Sequence, residues 1–287
     1  MERSSINPYL ILLVSIIAVS TASILIRLST SPPMVIAAYR LLFATLILTP
    51  FYIAEGGHRR FIALGSKRIL LLIAVGLILA IHFASWITSL SYTTVASSVI
   101  FVHMDPINVA LLSHLLLGER LTVKRFMGVI IAFIGAITIG WGDLRIGNLY
   151  GDLLSLLGAV ALALYLVAGR SLRRNLSLLE YVTPLYATSA ALLILGCLIM
   201  NIKLYPYPPR EYLLFLLIAF IPMILGHTLF NWALRYIEAP VVSVSLLGEP
   251  VGASLLAFII LGEFPPLTTI LGGAITLLGI YVTSSRE

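Results

Sequence analysis

The sequence predicts an all-α membrane protein of ten transmembrane helices, built as two five-helix repeats of inverted topology. Three observations predict it: the composition, the placement of Lys and Arg, and an internal repeat. Of 287 residues, 60% are hydrophobic and 10% are charged, against about 25% charged in ordinary soluble domains. Such a chain has too little polar surface to face water all round, so lipid is the expected solvent for much of it. A bilayer accepts it because each helix satisfies its own backbone hydrogen bonds.

A membrane-spanning helix needs about 20 mainly apolar residues. Ten segments meet that length: 9–28, 33–54, 69–91, 95–117, 121–141, 149–169, 179–200, 211–236, 240–261 and 266–283. Gly and Pro mark many of the breaks, among them Pro32-Pro33, Gly56-Gly57, Gly118, Pro208-Pro209 and Pro265-Pro266. Arg3 and Ala18-Val19-Ser20 outline a leader with a cleavage site. The run continues to Leu28, however, so it reads as a span.

The net charge is +6. In a soluble protein this would suggest nucleic acid. Here the charges lie in short loops between apolar runs, and topology explains them. With the N-terminus inside and the loops alternating, thirteen of the 18 Lys and Arg fall inside and four (Arg27, Arg145, Lys203, Arg210) outside, with Arg40 within the second segment. That bias is the one the positive-inside rule expects. It puts both termini in the cytoplasm and the protein in the cytoplasmic membrane.

The repeat has an offset of 144 residues. Asp105-Pro106 and Gly118-Glu119 recur as Glu249-Pro250 and Gly262-Glu263. Leu90, Tyr92, Gly128 and Gly135 match Leu234, Tyr236, Gly272 and Gly279 at the same offset. The predicted units are residues 1–142 and 143–287. Five helices per unit is an odd number, so the second enters the membrane upside down. Inverted repeats are common in secondary transporters, with the substrate near the midplane between the halves.

These features resemble the drug/metabolite transporter superfamily, specifically its ten-helix EamA-type permeases. The resemblance rests on the paired acid-Pro and Gly-Glu motifs, the Gly-spaced segments after them, and Arg40 near the start of the second segment. It implies a carrier of small organic metabolites, amino acids first among them, working as an exporter by alternating access. It also implies a central cavity lined by segments 1–4 and 6–9, with 5 and 10 peripheral. In that family the residue before each proline is often apolar. Here it is Asp105 and Glu249, so uncoupled transport does not carry over.

Ionisable groups inside hydrocarbon are costly, which makes each a candidate for function. Asp105 and Glu249 lie near the middle of their segments. Each precedes a proline that removes a backbone hydrogen bond and frees a carbonyl four residues back, at Val102 and Leu246. These acids are the expected proton-coupling groups. His82, Ser85, Trp86 and Ser89 share one face of the third segment by helical spacing. His227, Asn231 and Arg235 do so on the eighth. Arg40 is suited either to a carboxylate or phosphate ligand or to a structural pair. His82, Trp86, Phe101, Asn108, Tyr165, His227, Asn231 and Arg40 are the expected substrate-binding set. Glu119 and Glu263 read as structural residues of tight turns. His103 and His114 fall on a different face from Asp105 and read as bystanders.

Cys197 is the single cysteine. It leaves no disulfide and no metal cluster, and no cofactor is expected. The expected partners are a small-molecule substrate and the bilayer, with no nucleic acid. Small-residue faces on segments 5 and 10 allow close helix packing within the chain or between chains, so a monomer and a homodimer both fit. Two rivals come from other classes. A channel would present rings of charge or carbonyl filters. An intramembrane aspartyl protease is suggested by Gly140-Trp141-Gly142-Asp143, but it needs two acids sharing a proton. Asp143 lies at a segment end, about half a membrane from Asp105. No enzyme is expected.

Overall fold

The computed structural model describes residues 6–93, 98, 101–119, 122–140, 149–261, 264 and 266–284. Asp143, Gly262 and Glu263, and Arg3, Arg120, Arg145 and Arg286 of the charge count lie outside these residues. The described chain is helical throughout its elements. In order they are α1 (Pro8–Val19), α2 (Ala22–Leu28), α3 (Pro33–Ala54), α4 (Gly57–Ala63), α5 (Ser66–Ser89), α6 (Asp105–Leu117) and α7 (Val123–Gly140). They continue as α8 (Leu149–Leu172), α9 (Leu178–Ile199), α10 (Pro209–Ile218), a π-helical stretch (Ala219–Thr228), α11 (Leu229–Ala233), α12 (Ala239–Leu246), α13 (Gly248–Leu261) and α14 (Leu267–Ser284).

Among the described residues, eight stretches are long and apolar enough to cross a membrane. The shorter apolar α6 and the 18-residue α7 occupy the places of the fourth and fifth expected segments. Leu195, Leu198, Ile199, Leu277 and Leu278 leave more than half their surface uncovered. In water such a surface would be a liability; against lipid it is the expected one.

Local sequence explains where helices begin and end. The Asn7 side chain accepts a hydrogen bond from Tyr9 N at the start of α1. Ser177 and Glu180 form a reciprocal capping box on α9. Gly118 ends α6 at φ 68°, a conformation that favours glycine.

The acid-proline pairs behave differently from the sequence expectation. Segments 95–117 and 240–261 were each expected as one helix with a proline inside. Instead the chain turns at His103-Met104, and α6 starts at Asp105 with Pro106 in its first turn. Likewise α12 stops at Leu246 and α13 carries Glu249 in its first turn. A proline there gives up an N–H that has no partner in the helix anyway. Freeing an interior carbonyl is therefore not its effect. The break places each carboxyl at the positive end of a short helix, where negative charge is favoured.

A second irregularity sits at Pro222. Proline lacks the N–H and crowds the carbonyl four residues earlier. Around it the helix widens into ten π-helical residues that carry His227. Such bulges recur at functional sites.

The tightest helix pair is α7 on α14. A Cβ on Gly272 would come within 2.6 Å of Ile139 N and 2.7 Å of Gly135 O. Gly128, Gly135 and Gly279 meet the opposing backbone as closely. Thr276 and Thr283 return their hydroxyls to their own helix, onto Gly272 O and Gly279 O, both at 2.9 Å. The small-residue faces are thus used within the chain.

Candidate functional site

Deep between the helices lies a cavity. Its wall takes Arg40 from α3, His82 and Trp86 from α5, His103 from the turn before α6, His227 from the π-helical stretch and Glu249 from α13. Apolar neighbours complete it, among them Val19, Leu162, Phe230 and Pro250. No residue of α7 or α14 lines it.

Arg40 is the largest buried side chain, 1% exposed. Its Nε lies 3.3 Å from the Met223 sulfur and one Nη 3.5 Å from Pro222 O, both weak acceptor contacts. Its Cζ sits 4.4 Å over the Phe83 ring, a cation–π contact. The other Nη has no hydrogen-bond partner. Among the described residues, no carboxylate comes within 4.0 Å of this guanidinium. Glu249 on the same wall acts on Arg40 through charge without touching it; a buried cation with no contacting anion is costly, and the gap suits an anion from outside the chain.

His82 is held by its Nδ1, 2.9 Å from Gly158 O. A carbonyl only accepts, so Nδ1 carries the proton and Nε2 is the ring's free acceptor. His82 stacks on Trp86 with centroids 6.0 Å apart and planes 13° off parallel. Trp86 Nε1 and His227 Nδ1 are buried without partners. Glu249 is half-buried on the same wall. Its backbone carbonyl accepts from Ser20 Oγ at 3.2 Å, which ties the end of α1 to the start of α13.

The remaining expected residues stand off the wall. Asn231 Nδ2 donates to the Tyr165 hydroxyl at 2.5 Å and to His227 O at 2.6 Å, and both side chains are fully buried. They support the cavity floor from behind, with Tyr165 edge-on to Phe230 at 6.3 Å. Asn108 turns back onto Met104 O at 3.4 Å. Phe101 is half-buried and outside the cavity. Asp105 is fully buried behind the wall and accepts from Ser243 on α12.

His103 differs from its sequence reading. The expected continuous helix put it on another face from Asp105. The turn at 103–104 breaks that geometry and brings Nδ1 to 4.0 Å from Asp105 Oδ1, with the ring on the cavity wall. His114 stays exposed.

Glu119, read from the sequence as a structural residue of a tight turn, reaches across the halves: it accepts from Arg170 Nε at 2.7 Å and Arg174 Nη2 at 3.5 Å. Arg170 then reaches Leu234 O at 2.8 Å and Arg235 O at 3.1 Å. Nearby, Arg125 pairs with Glu238, and Arg60 with Glu180 at 2.7 Å. Arg173 donates to Asn231 O and Leu176 O; burial pushes its guanidinium down to about 10, with the Arg235 charge adding to the shift. It stays a cation at neutral pH. Every one of the Arg–Glu pairs joins a residue before position 142 to one after 143. They lie at one end of the bundle: Arg170 follows Leu162 of the cavity wall by eight residues along α8, about 12 Å of helix.

The other end is joined by hydroxyl and backbone donors and by Arg210, which donates to Leu28 O at 3.1 Å. Glu211 accepts from Ser29 and Ser31 hydroxyls at 2.5 and 2.8 Å and from Thr30 N at 3.2 Å. Thr93 donates to Asp152 at 2.6 Å, and Tyr39 to Leu204 O at 2.9 Å.

The chain is similar to known proteins in family, in sequence and in fold. The model of the EamA-like transporter family matches twice, over residues 6–141 and 149–285. An "Uncharacterized transporter" of Archaeoglobus fulgidus is 32% identical over 200 residues, covering 66% of this chain and 67% of the relative. A second one from the same organism is 25% identical over 273 residues, 94% of each chain. The Bacillus subtilis "Uncharacterized transporter YyaM" is 25% identical over 208 residues, 70% of this chain and 68% of its own. A solved structure titled "Crystal structure of protein" superposes with a TM-score of 0.83 over 96% of both chains at 19% identity, a likeness of fold.

Proposed function

Starting from the fact that the chain belongs to the EamA-like transporter family, and so is a multi-pass membrane transporter rather than an enzyme, we propose that it carries zwitterionic amino acids across the cytoplasmic membrane. The observation that carries this reading is the cavity itself: Arg40 without a carboxylate partner and Glu249 without an ion pair share one wall. The guanidinium suits a substrate carboxylate. Trp86 Nε1 and His227 Nδ1 add unsatisfied polar atoms. The Glu249 carboxylate suits the ammonium. Phe230, Leu162 and Val19 leave room for an apolar side chain.

The reading includes ten spans in two inverted five-helix halves, 1–142 and 143–287, with both termini cytoplasmic. On that topology the Arg–Glu end is the cytoplasmic one, and its ion pairs hold the halves together on that side. The halves rock about the central site. Asp105 and Glu249 couple the cycle to protons. Direction follows the gradients; with substrate made inside the cell, the carrier exports. Two supports favour a carrier over a channel: ion pairs join the two halves beyond one end of the cavity, and the cavity's charges are single rather than ringed. One chain holds every group in this scheme.

The test is thermal stability in detergent with serine, leucine and phenylalanine, beside analogues lacking either charge. A ligand at 100 times its Kd stabilises by about 2.7 kcal/mol if it binds the folded state alone. At least one zwitterion is expected to raise the melting temperature, while its methyl ester and its deaminated acid do not. Equal shifts from ester and parent would remove the Arg40 assignment. A shift with sugars or nucleosides in place of all amino acids would remove the substrate class.

A further inference from the structure

We propose that His103, Asp105 and Ser243 form a proton site set behind the substrate cavity, with His103 linking it to the cavity wall. This rests on the carrier reading above and divides the labour of its two acids. Glu249 faces the substrate; Asp105 holds the proton.

The accounting of hydrogen-bond partners carries the proposal. Asp105 is fully buried, and its Oδ2 accepts from the Ser243 hydroxyl. Its Oδ1 is buried with no partner. Facing it at 4.0 Å is His103 Nδ1, also buried with no partner. Buried polar atoms in folded proteins are nearly always satisfied. Two unsatisfied atoms opposed in this way share one remedy. A single proton between them, with the side chains closing the small remaining gap, completes both.

A metal ion fits poorly. Sodium-like and larger hard cations take several oxygen ligands, and here the donors are one carboxylate, one hydroxyl and one imidazole nitrogen. No group of three or more His, Cys, Asp or Glu suited to a metal occurs among the described residues.

Other ionisable groups around Asp105 are engaged or placed elsewhere. On α8, Asp152 holds Thr93, Tyr165 holds Asn231, and Arg170 holds Glu119. The α12 helix contributes Ser243 and no ionisable side chain. Across the cavity stand Glu249, His82 and Arg40. His103 lines the cavity and faces Asp105 at 4.0 Å.

The transfer balances without any further reagent. A hydronium ion in the cavity gives its proton to His103 Nε2 and is left as water. The Nδ1–H bond then breaks as an O–H bond forms on Asp105 Oδ1. The imidazole is left neutral, in its other tautomer. The site also senses conformation, because Ser243 belongs to the second half and Asp105 to the first. Separation of α12 from α6 removes the hydroxyl donor, so holding the proton and the relative position of the halves are linked.

The experiment is infrared difference spectroscopy of the purified, lipid-reconstituted protein over a pH series, read at the protonated-carboxyl carbonyl band. It is run in Glu249→Gln to silence the cavity acid. A pH-dependent band is expected in Glu249→Gln, and its loss in Glu249→Gln with Asp105→Asn. Ser243→Ala and His103→Gln should move the band without abolishing it. An unchanged band after Asp105→Asn, or no shift in His103→Gln, overturns the site. Displacement of the band by sodium but not choline overturns the choice of proton. This readout needs no transport, so it stands apart from the amino-acid reading. In liposomes, pH-driven accumulation of labelled leucine by Asp105→Asn should fall at least about fivefold, the low end of coupling between sites, while leucine exchange persists. Equal loss of both would assign Asp105 a structural role instead.

Discussion

Arg40→Met is expected to abolish amino-acid binding while leaving the folded protein as stable as before or more so. The two readouts together separate a ligand-binding arginine from a structural one. Removing one partner of a buried, hydrogen-bonded charge pair costs about 2–5 kcal/mol. At 3 kcal/mol that is roughly a 150-fold weaker Kd. The free protein gains by the change. Arg40 is 1% exposed with only a sulfur and a distant carbonyl as acceptors, and buried charges exchanged for apolar groups of similar volume are often neutral or stabilising. Methionine also keeps contact with Phe83. Arg40→Lys should bind poorly too, because an ammonium lacks the planar fork that grips a carboxylate. The measurement is the ligand-free melting temperature beside the ligand-induced shift. A collapse of the ligand-free value with binding retained at high ligand would make Arg40 a structural residue.

Glu119→Gln is expected to open the Arg–Glu end. Glu119 joins Arg170 and Arg174, and Arg170 ties on to the carbonyls of Leu234 and Arg235. Both side chains of the main pair are nearly buried, at 6% and 10% exposure. Breaking a buried pair from one side costs about 3–5 kcal/mol, because the remaining charge is left uncompensated. That cost falls on the closed conformation alone. A shift of even 3 kcal/mol changes the ratio of conformations by roughly 150-fold. The reporter is a cysteine at Ala253 on the cavity wall, in a Cys197→Ala background free of other thiols. A membrane-impermeant thiol reagent should then react faster from the Arg–Glu side and slower from the other. Exchanging the charges, with Glu119→Arg and Arg170→Glu, should restore part of the closure. Reactivity unchanged from both sides would show that these pairs do not hold the end shut.

Much of this architecture was legible in the sequence. Lipid-spanning helices announce themselves by long apolar runs, and the 144-residue offset exposed the duplication because the acid-proline and Gly-Glu motifs repeat intact. Arg40, His82, Trp86, His227 and Glu249 were found by one rule, that polar groups in apolar segments must face something other than lipid. That rule gives a face but not a depth. Tyr165 and Asn231 share the inward side and hydrogen-bond to each other off the cavity wall. Helical spacing assumes an unbroken helix, so His103 was misplaced by the turn before Asp105. The proline held the clue, since proline favours the first turn of a helix over its interior. The π-helical stretch at Pro222 and the pairing of Glu119 with Arg170 depend on contacts between distant segments, which periodicity does not record.

The most direct test of a carrier with one central zwitterion site is counterflow in liposomes. Vesicles loaded with unlabelled leucine, serine or phenylalanine are diluted into a trace of the labelled form. The account predicts a transient labelled overshoot that saturates with concentration and vanishes in Arg40→Met. Label entry that rises without saturation and shows no overshoot would identify a channel. Overshoot that persists in Arg40→Met would contradict the site described for this cavity.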